Sequence, residues 1–379
     1  MNAKRPKSPR SVEIISGNED LLLEIILLLP PKTLLRFQSV SRHWRSLISA
    51  ASFGRQHSRL HHCRRPKPQP SFILRNFLPF FLLQPRSKHF VPFNFNSPHT
   101  RILQSSNGLL LVESRNSPYG RRDYFVCNPT TRQSRKLLID YGSEKRKKAG
   151  IFGLCLAFDP SKSPYYKVVC LRGAQSSSSI YRVEVYNSES QTWKVVGEQS
   201  IAVSVKLCHG IYWNDGIYWI RPNSKSLYLD LQNGNLRNPP GIRTPWAWRK
   251  AGEINKNYIM ESNGHFHCLA MYLRLDMKCL IVFELRADGS GWFQEYWVDL
   301  NPIAGEMNGP VEVMGIVRGE REEESSVLFH VPGKIFSHRF CDGSFEVVLD
   351  LTRDEIYVEH RLQFQRYDAY QFIETLAPV

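Results

Sequence analysis

The sequence predicts an α+β chain in two parts: a small N-terminal unit of three helices, then a large all-β domain of β-propeller type. Three observations carry this. Residues 18–58 place apolar side chains at helical spacing around a Pro30-Pro31 break. From Phe72 onward that period gives way to short apolar runs punctuated by Gly, Pro, Asn and Asp. Within this second region one strand–turn–strand unit recurs at intervals suited to a repeat architecture.

Residues 1–17 read as a basic, disordered leader that lacks the apolar core of a secretory signal. In the first helix Leu21, Ile25, Leu28 and Leu29 share one face, while Leu22 and Ile26 lie on another. Residues 21–29 are apolar except for Glu24. The block is too short for a bilayer, which takes ~20 residues. It is also too apolar all round for so small a unit to enclose. The excess surface points to a protein partner. Pro31 opens the second helix, residues 32–40, where its missing N–H costs nothing. That helix carries Leu34, Leu35, Phe37 and Val40. Ser41 is placed to cap a third helix from Arg42 that carries Trp44, Leu47 and Ile48. An ordinary leucine-rich three-helix subdomain fits the same pattern.

The run Leu21, Leu22, Glu24, Ile25, Leu29, Pro30, Lys32, Leu34, Leu35, Arg36, Phe37, Val40, Ser41, Arg42, Trp44, Arg45, Ser46, Leu47 and Ile48, continuing to Phe53 and His57, resembles an F-box of the plant type. The resemblance implies docking onto a Skp-family adaptor, and through it onto a Cullin scaffold. It carries that contact to Leu21, Leu22, Ile25, Ile26, Leu29, Pro30, Leu34, Leu35, Val40 and Trp44, with some of these forming the F-box core instead. The family usually opens with Leu-Pro before the first helix. Here Asn18-Glu19 stand in that place, which bears on the affinity for the adaptor.

Residues 59–71, rich in Pro and basic side chains, read as a linker, and residues 72–379 as the β-domain. Copies of its repeated unit begin near Tyr124, Tyr181, Leu227, Ile281 and Ile335. Turn positions at Asn128, Asn187, Asp230 and Glu284 are 59, 43 and 54 residues apart. Propeller blades recur every ~40–50 residues, with insertions lengthening them. Inner strands are expected over residues 108–113, 153–158, 210–220 and 265–271, and about five to seven blades in all. Residues 363–376 can close the ring by pairing near Phe72. An open β-rich domain or sandwich is the alternative.

Ser106-Asn107-Gly108-Leu109-Leu110, Cys127-Asn128-Pro129-Thr130-Thr131-Arg132, Ala157-Phe158-Asp159-Pro160 and Tyr166-Lys167-Val168-Val169 resemble the plant F-box-associated domain. Val185-Tyr186-Asn187, Trp193 and His209-Gly210-Ile211-Tyr212-Trp213 extend the match. Together the two resemblances imply a substrate-recognition subunit of an SCF (Skp–Cullin–F-box) ubiquitin ligase. Its kelch-like propeller would recruit an unknown protein target, with no chemistry or cofactor of its own. The Asn-Pro-Thr-Thr-Arg piece reads as a turn. Trp193, Trp213, Trp219, Trp292 and Trp297 read as packing residues, whereas Trp246 and Trp248 are candidate target anchors.

The net charge of +15 is local. Residues 1–148 hold 27 Lys/Arg against 8 Asp/Glu, and residues 149–379 hold 23 against 27. Such patches attract acidic partners, but no aromatic–basic pattern of a nucleic-acid reader accompanies them, so a nucleic-acid-associated role stays a rival reading. The other rival is a small-molecule or glycan sensor built on the propeller. Eight cysteines without a C-x-x-C pair suit reduced thiols in the cytoplasm or nucleus. His265-Phe266-His267-Cys268 lacks the further ligands a metal needs. No phosphate-binding glycine loop or nucleophile elbow is present.

Overall fold

The computed structural model describes residues 18–63, 70–75, 80–85, 89–93, 100–115, 122–139, 151–173, 180–200, 210–220, 226–242, 256–274, 277–353 and 369–379. Among the described residues four helices come first: α1 (Glu19–Leu27), α2 (Pro31–Phe37), α3 (Arg42–Ser49) and α4 (Ala51–Cys63). Local chemistry sets their ends. Asn18 Oδ1 accepts from the amides of Asp20 (3.1 Å) and Leu21 (3.2 Å), so it caps α1. Pro31 is the first residue of α2, and Ser41 Oγ caps α3 through the Trp44 amide at 3.1 Å.

Two expectations need correction here. The second helix ends at Phe37, because the Ser39 and Val40 amides turn back to Arg36 and Phe37 carbonyls. A fourth helix follows the expected three, and α4 occupies residues 59–63 of the segment read as linker. No proline interrupts residues 51–63, and Phe53, Gly54, His57 and Ser58 give that stretch a buried stripe at helical spacing.

The strands form six four-stranded antiparallel sheets. The first blade holds β1 (Ser71–Arg75), β2 (Phe80–Gln84) and β3 (His89–Phe93). The second is β4 (Thr100–Ser106), β5 (Leu109–Arg115), β6 (Arg122–Asn128) and β7 (Gln133–Lys136). The third is β8 (Ile151–Ala157), β9 (Lys167–Gly173), β10 (Ile180–Asn187) and β11 (Thr192–Ser200). The fourth is β12 (Ile211–Trp213), β13 (Gly216–Trp219), β14 (Leu227–Asp230) and β15 (Leu236–Arg237). The fifth is β16 (Lys256–Ser262), β17 (His265–Leu273), β18 (Lys278–Leu285) and β19 (Trp292–Asp299). The sixth is β20 (Glu312–Val317), β21 (Ser326–Val331), β22 (Lys334–Arg339) and β23 (Phe345–Asp350). The last strand, β24 (Ala369–Phe372), returns to β1, with Ser71 opposite Phe372 and Leu74 opposite Ala369. That is the ring closure expected of the tail.

Six apolar clusters explain why the sheets close. Each joins one blade to the next: Ile73 and Phe80 with Ile102, Leu109 with Leu154, and Cys155 with Ile217. The circuit continues with Trp213 beside Phe266, Tyr258 with Val313, and Met314 back to Phe72. A central strand is therefore covered on both faces, and residues 109–112 and 279–283 read as unbroken apolar runs.

The recurring unit is the third strand of a blade, its turn and the fourth strand. Asn128, Asn187 and Asp230 each accept from amides two residues on, which makes that turn. In the fifth blade Asp288 does this through Ser290, not Glu284, which stays inside β18. The strands beginning near Gly108 and His265 are second in their blades, since β4 and β16 lie inside them. Asn107-Gly108 and Asn263-Gly264 form the intervening hairpin turns at positive φ (44° and 87°, 55° and 85°), where Asn and Gly bear little strain.

Candidate protein-docking site

The F-box-like helices divide their leucines as their spacing requires. Leu22, Ile26, Leu27, Leu34, Ile48 and Phe53 form one buried cluster. On the opposite face of α1, Leu21, Ile25 and Leu28 are 40%, 44% and 60% exposed. Val40 is 63% exposed, and Pro30 also faces solvent. Leu29, Leu35 and Trp44 are half-buried, with Trp44 edge-on to Phe37 at 5.3 Å. The ten residues assigned to adaptor contact thus split. Leu22, Ile26 and Leu34 are core, because a helix three or four residues per turn can bury only one side. Leu28 was absent from that assignment, although its place on the Leu21–Ile25 face marked it.

Helix α4 and the C-terminal tail join this unit to the propeller. Leu376 is buried in the helical cluster itself. Ser58 Oγ lies 2.9 Å from Thr375 Oγ1, Lys32 pairs with Glu374, and His62 Nε2 is 3.5 Å from Asp159 Oδ1. Asn128, fully buried at the turn of the second blade, donates its Nδ2 to the carbonyls of Thr375 (3.0 Å) and Ala377 (2.7 Å). The Asn of the Asn-Pro-Thr-Thr-Arg turn therefore holds the tail as well as its own backbone. Nothing local in the sequence announces the second task, because its partner is 247 residues away.

A cavity of about 990 Å³ lies among the inner strands, walled on one side by His57, Ser58, His61 and His62 of α4. Gln104 seals its wall, donating Nε2 to the Leu156 carbonyl (3.1 Å) and accepting the Leu156 amide (2.7 Å). Ser105 Oγ donates to Gln371 O at 2.6 Å. Burial pushes the His57 ring down to about 4, so it is neutral at pH 7.

Beside the cavity Arg318 and Glu284 form a largely buried ion pair 3.7 Å apart, with His267 Nδ1 3.7 Å from the same carboxylate. His265 Nδ1 lies 2.7 Å from Glu284 Oε1. Burial pushes His267 down to about 3, although Glu284 opposes this. No set of side chains able to hold a metal ion occurs among the described residues.

Trp213 and Trp219 are buried and Trp193 and Trp292 half-buried, as packing residues should be. Trp297 departs from this. It stands on the outermost strand of the fifth blade and is 52% exposed, because no further strand covers that edge. Trp246 and Trp248 lie outside the described residues, in the connection from β15 to β16.

The F-box and F-box-associated family matches agree with this geometry. Residues 18–56 match the F-box domain, and residues 84–231 match the F-box associated beta propeller domain. F-box protein At5g07610 of Arabidopsis thaliana is 29% identical over 98% of this chain and 94% of its own length. An F-box/kelch-repeat protein of the same plant is 30% identical over 58% of this chain and 53% of its own. Among solved structures, the β-propeller domain of the trilobed protease from Pyrococcus furiosus aligns over 71% of this chain and 73% of that one, at 11% identity and a TM-score of 0.35.

Proposed function

We infer, from a chain that belongs to the F-box proteins with an F-box-associated β-propeller domain, that it is the target-recognition subunit of an SCF ubiquitin ligase. In this reading the F-box docks a Skp-family adaptor that links it to a Cullin scaffold, and the propeller holds a protein target. One observation carries it: Leu21, Ile25 and Leu28 stand exposed on one face of α1 while the opposite face is fully packed. Apolar side chains exposed in such a row meet water, and an apolar partner is what relieves that contact.

The role is non-catalytic. A ligase of this kind acts by raising the effective concentration of target lysines near the charged ubiquitin donor. That requires the two units to keep a fixed relation, which Leu376 in the helical core and the Asn128 bonds to the tail both favour. Asn18 in place of the usual Leu-Pro supplies a helix cap and leaves the docking face to Leu21, Ile25, Leu28, Pro30 and Val40.

Calorimetric titration of a Skp-family adaptor into the whole chain tests the reading. An Ile25→Asp, Leu28→Asp double variant, both positions being exposed, should keep its fold and lose affinity by about a hundredfold or more. Binding that is absent in the parent chain, or unchanged in the variant, would remove the adaptor contact from this face.

A further inference from the structure

The F-box core is not made by its helices alone. Of the seven residues in its buried cluster, six come from the helical unit and the seventh is Leu376. Leu376 lies four residues beyond the ring-closing strand β24, Ala369–Phe372. A unit the size of residues 18–63 is marginal by itself, since chains of about 40–60 residues bury too little surface for a robust core. Leu376 adds to that core only where β24 has delivered the tail to it.

The tail is clamped from both sides. Towards the helices, Ser58 Oγ lies 2.9 Å from Thr375 Oγ1, and Lys32 pairs with Glu374. Towards the propeller, Asn128 Nδ2 donates to the Thr375 and Ala377 carbonyls, and the Thr375 amide donates to Thr130 Oγ1 at 3.3 Å. A Cβ on Gly108 would meet the Ile373 carbonyl oxygen and the Thr375 side chain, so the tail lies directly on the hairpin turn of the second blade. Strand β24 is anchored just as firmly in the ring. Phe372 is buried with Ile73, Phe80, Ile102 and Leu110. Tyr370 Oη donates to the Ile102 carbonyl at 2.8 Å, Ser105 Oγ donates to the Gln371 carbonyl at 2.6 Å, and Gln371 Nε2 reaches Ser262 Oγ of the fifth blade at 3.2 Å. Direct contacts of the helices with the propeller include His62 with Asp159 at 3.5 Å and Arg55 over the Tyr165 ring at 5.7 Å. Such partly exposed pairs contribute little, so the tail is the main joint.

We propose that the tail makes F-box seating and propeller closure one coupled equilibrium: the helices hold their docking face only while β24 is paired with β1, and an adaptor bound to that face holds the ring shut. The second half rests on the adaptor reading and adds to it a link between the adaptor site and the propeller. Coupling of this kind is reciprocal. If unzipping β24 leaves about a tenth of the chains with a competent F-box, adaptor affinity falls about tenfold, and the adaptor favours the closed ring by the same factor. A target that braces the closed ring raises adaptor affinity in the same way. A chain whose propeller is open is thereby kept out of the ligase.

Hydrogen exchange of the full chain, read by mass spectrometry, tests the link from each side. Phe372→Ala loosens β24 in a cluster that holds no helical residue, and Leu376→Ala loosens the tail in a cluster that holds no strand residue. Phe372→Ala should speed exchange in α1–α3 by about tenfold or more, and Leu376→Ala should do the same in β1. Strands β17 and β18 of the fifth blade should keep the parent's rate in both. Acceleration confined in each variant to its own side would overturn the proposal. Equal acceleration in β17 and β18 would also overturn it, because that reports general destabilisation and no specific link. Calorimetry with a Skp-family adaptor gives the second readout. Phe372→Ala should weaken binding by about tenfold although it lies off the docking face, and the adaptor should slow exchange in β1 of the parent. Unchanged affinity in Phe372→Ala would overturn the coupling. The Ile25→Asp, Leu28→Asp chain should lose the adaptor yet keep the parent's exchange in β1. A parent chain that takes no adaptor would overturn the adaptor reading, while exchange in α1–α3 and β1 would still decide the link.

Discussion

Gly54→Ala should destabilise this protein, although Gly54 lies inside a helix, where the change ordinarily helps. It sits in the first turns of α4, Ala51–Cys63. By helix propensity alone, Ala is favoured over Gly by ~1 kcal/mol. A Cβ built on Gly54 falls 2.5 Å from the Leu376 carbonyl oxygen. The obstacle is backbone, held by the Ser58–Thr375 contact at 2.9 Å and by Asn128 on either side. Relieving it means lifting the tail by several tenths of an ångström and loosening Leu376 in the helical core. Overpacking a close contact costs ~1–3 kcal/mol, so the net loss should be about 1 kcal/mol. Urea unfolding followed by tryptophan fluorescence measures it. In a chain ending at Thr375 the obstructing carbonyl is gone, and the same substitution should stabilise by up to ~1 kcal/mol. Stabilisation in the full chain would refute the seating of the tail on α4.

Four further outcomes follow from the same contacts. Leu376→Ala should cost ~2–4 kcal/mol, because it opens a cavity among Leu22, Ile26, Leu34 and Phe53, and should make the tail sensitive to limited proteolysis. Asn128→Ala leaves two buried tail carbonyls without their donor and should cost ~2–3 kcal/mol in the same urea assay. Glu312 pairs with Lys256 and accepts from Tyr258 Oη at 2.5 Å, so Glu312→Ala should lower the unfolding free energy by ~2–4 kcal/mol in the urea assay, whereas Glu312→Gln should cost less. Burial pushes His57, His330 and His338 down to about 4 from 6.5. Below 6.5 the unfolded chain binds more protons than the native one, so stability is full above that pH and falls as pH drops towards 4. Each such group contributes a slope of at most about 1.4 kcal/mol per pH unit, and urea midpoints that stay level from pH 7 to pH 5 would contradict it.

The helical caps, the α1 face and the turns were legible because each depends on residues within one or two helical turns. Pro31 and Ser41 act on their own neighbours; Asn18 does so too, but its sequence position was read only as the place of a missing Leu-Pro. The separation of Leu21 and Ile25 from Leu22 and Ile26 is the geometry of a single helix. The blade turns were legible for the same reason, since an Asn or Asp bonding two residues ahead needs nothing distant. Glu284 was misplaced as a turn marker because a count of residues cannot see where a strand ends.

The sequence by itself determined the two-part organisation, the F-box helices with their exposed apolar face, and the closing of a repeated β-domain by its own last strand. All of these follow from period and local chemistry. Only the tertiary structure decided which leucines the core consumes, how the tail enters the helical unit, and which residues wall the cavity. Asn128 and Thr375, or His57, Asn257 and Asn263, are brought together by ring closure of six blades. Residues hundreds of positions apart share a wall for that reason, and no local spacing encodes such a meeting.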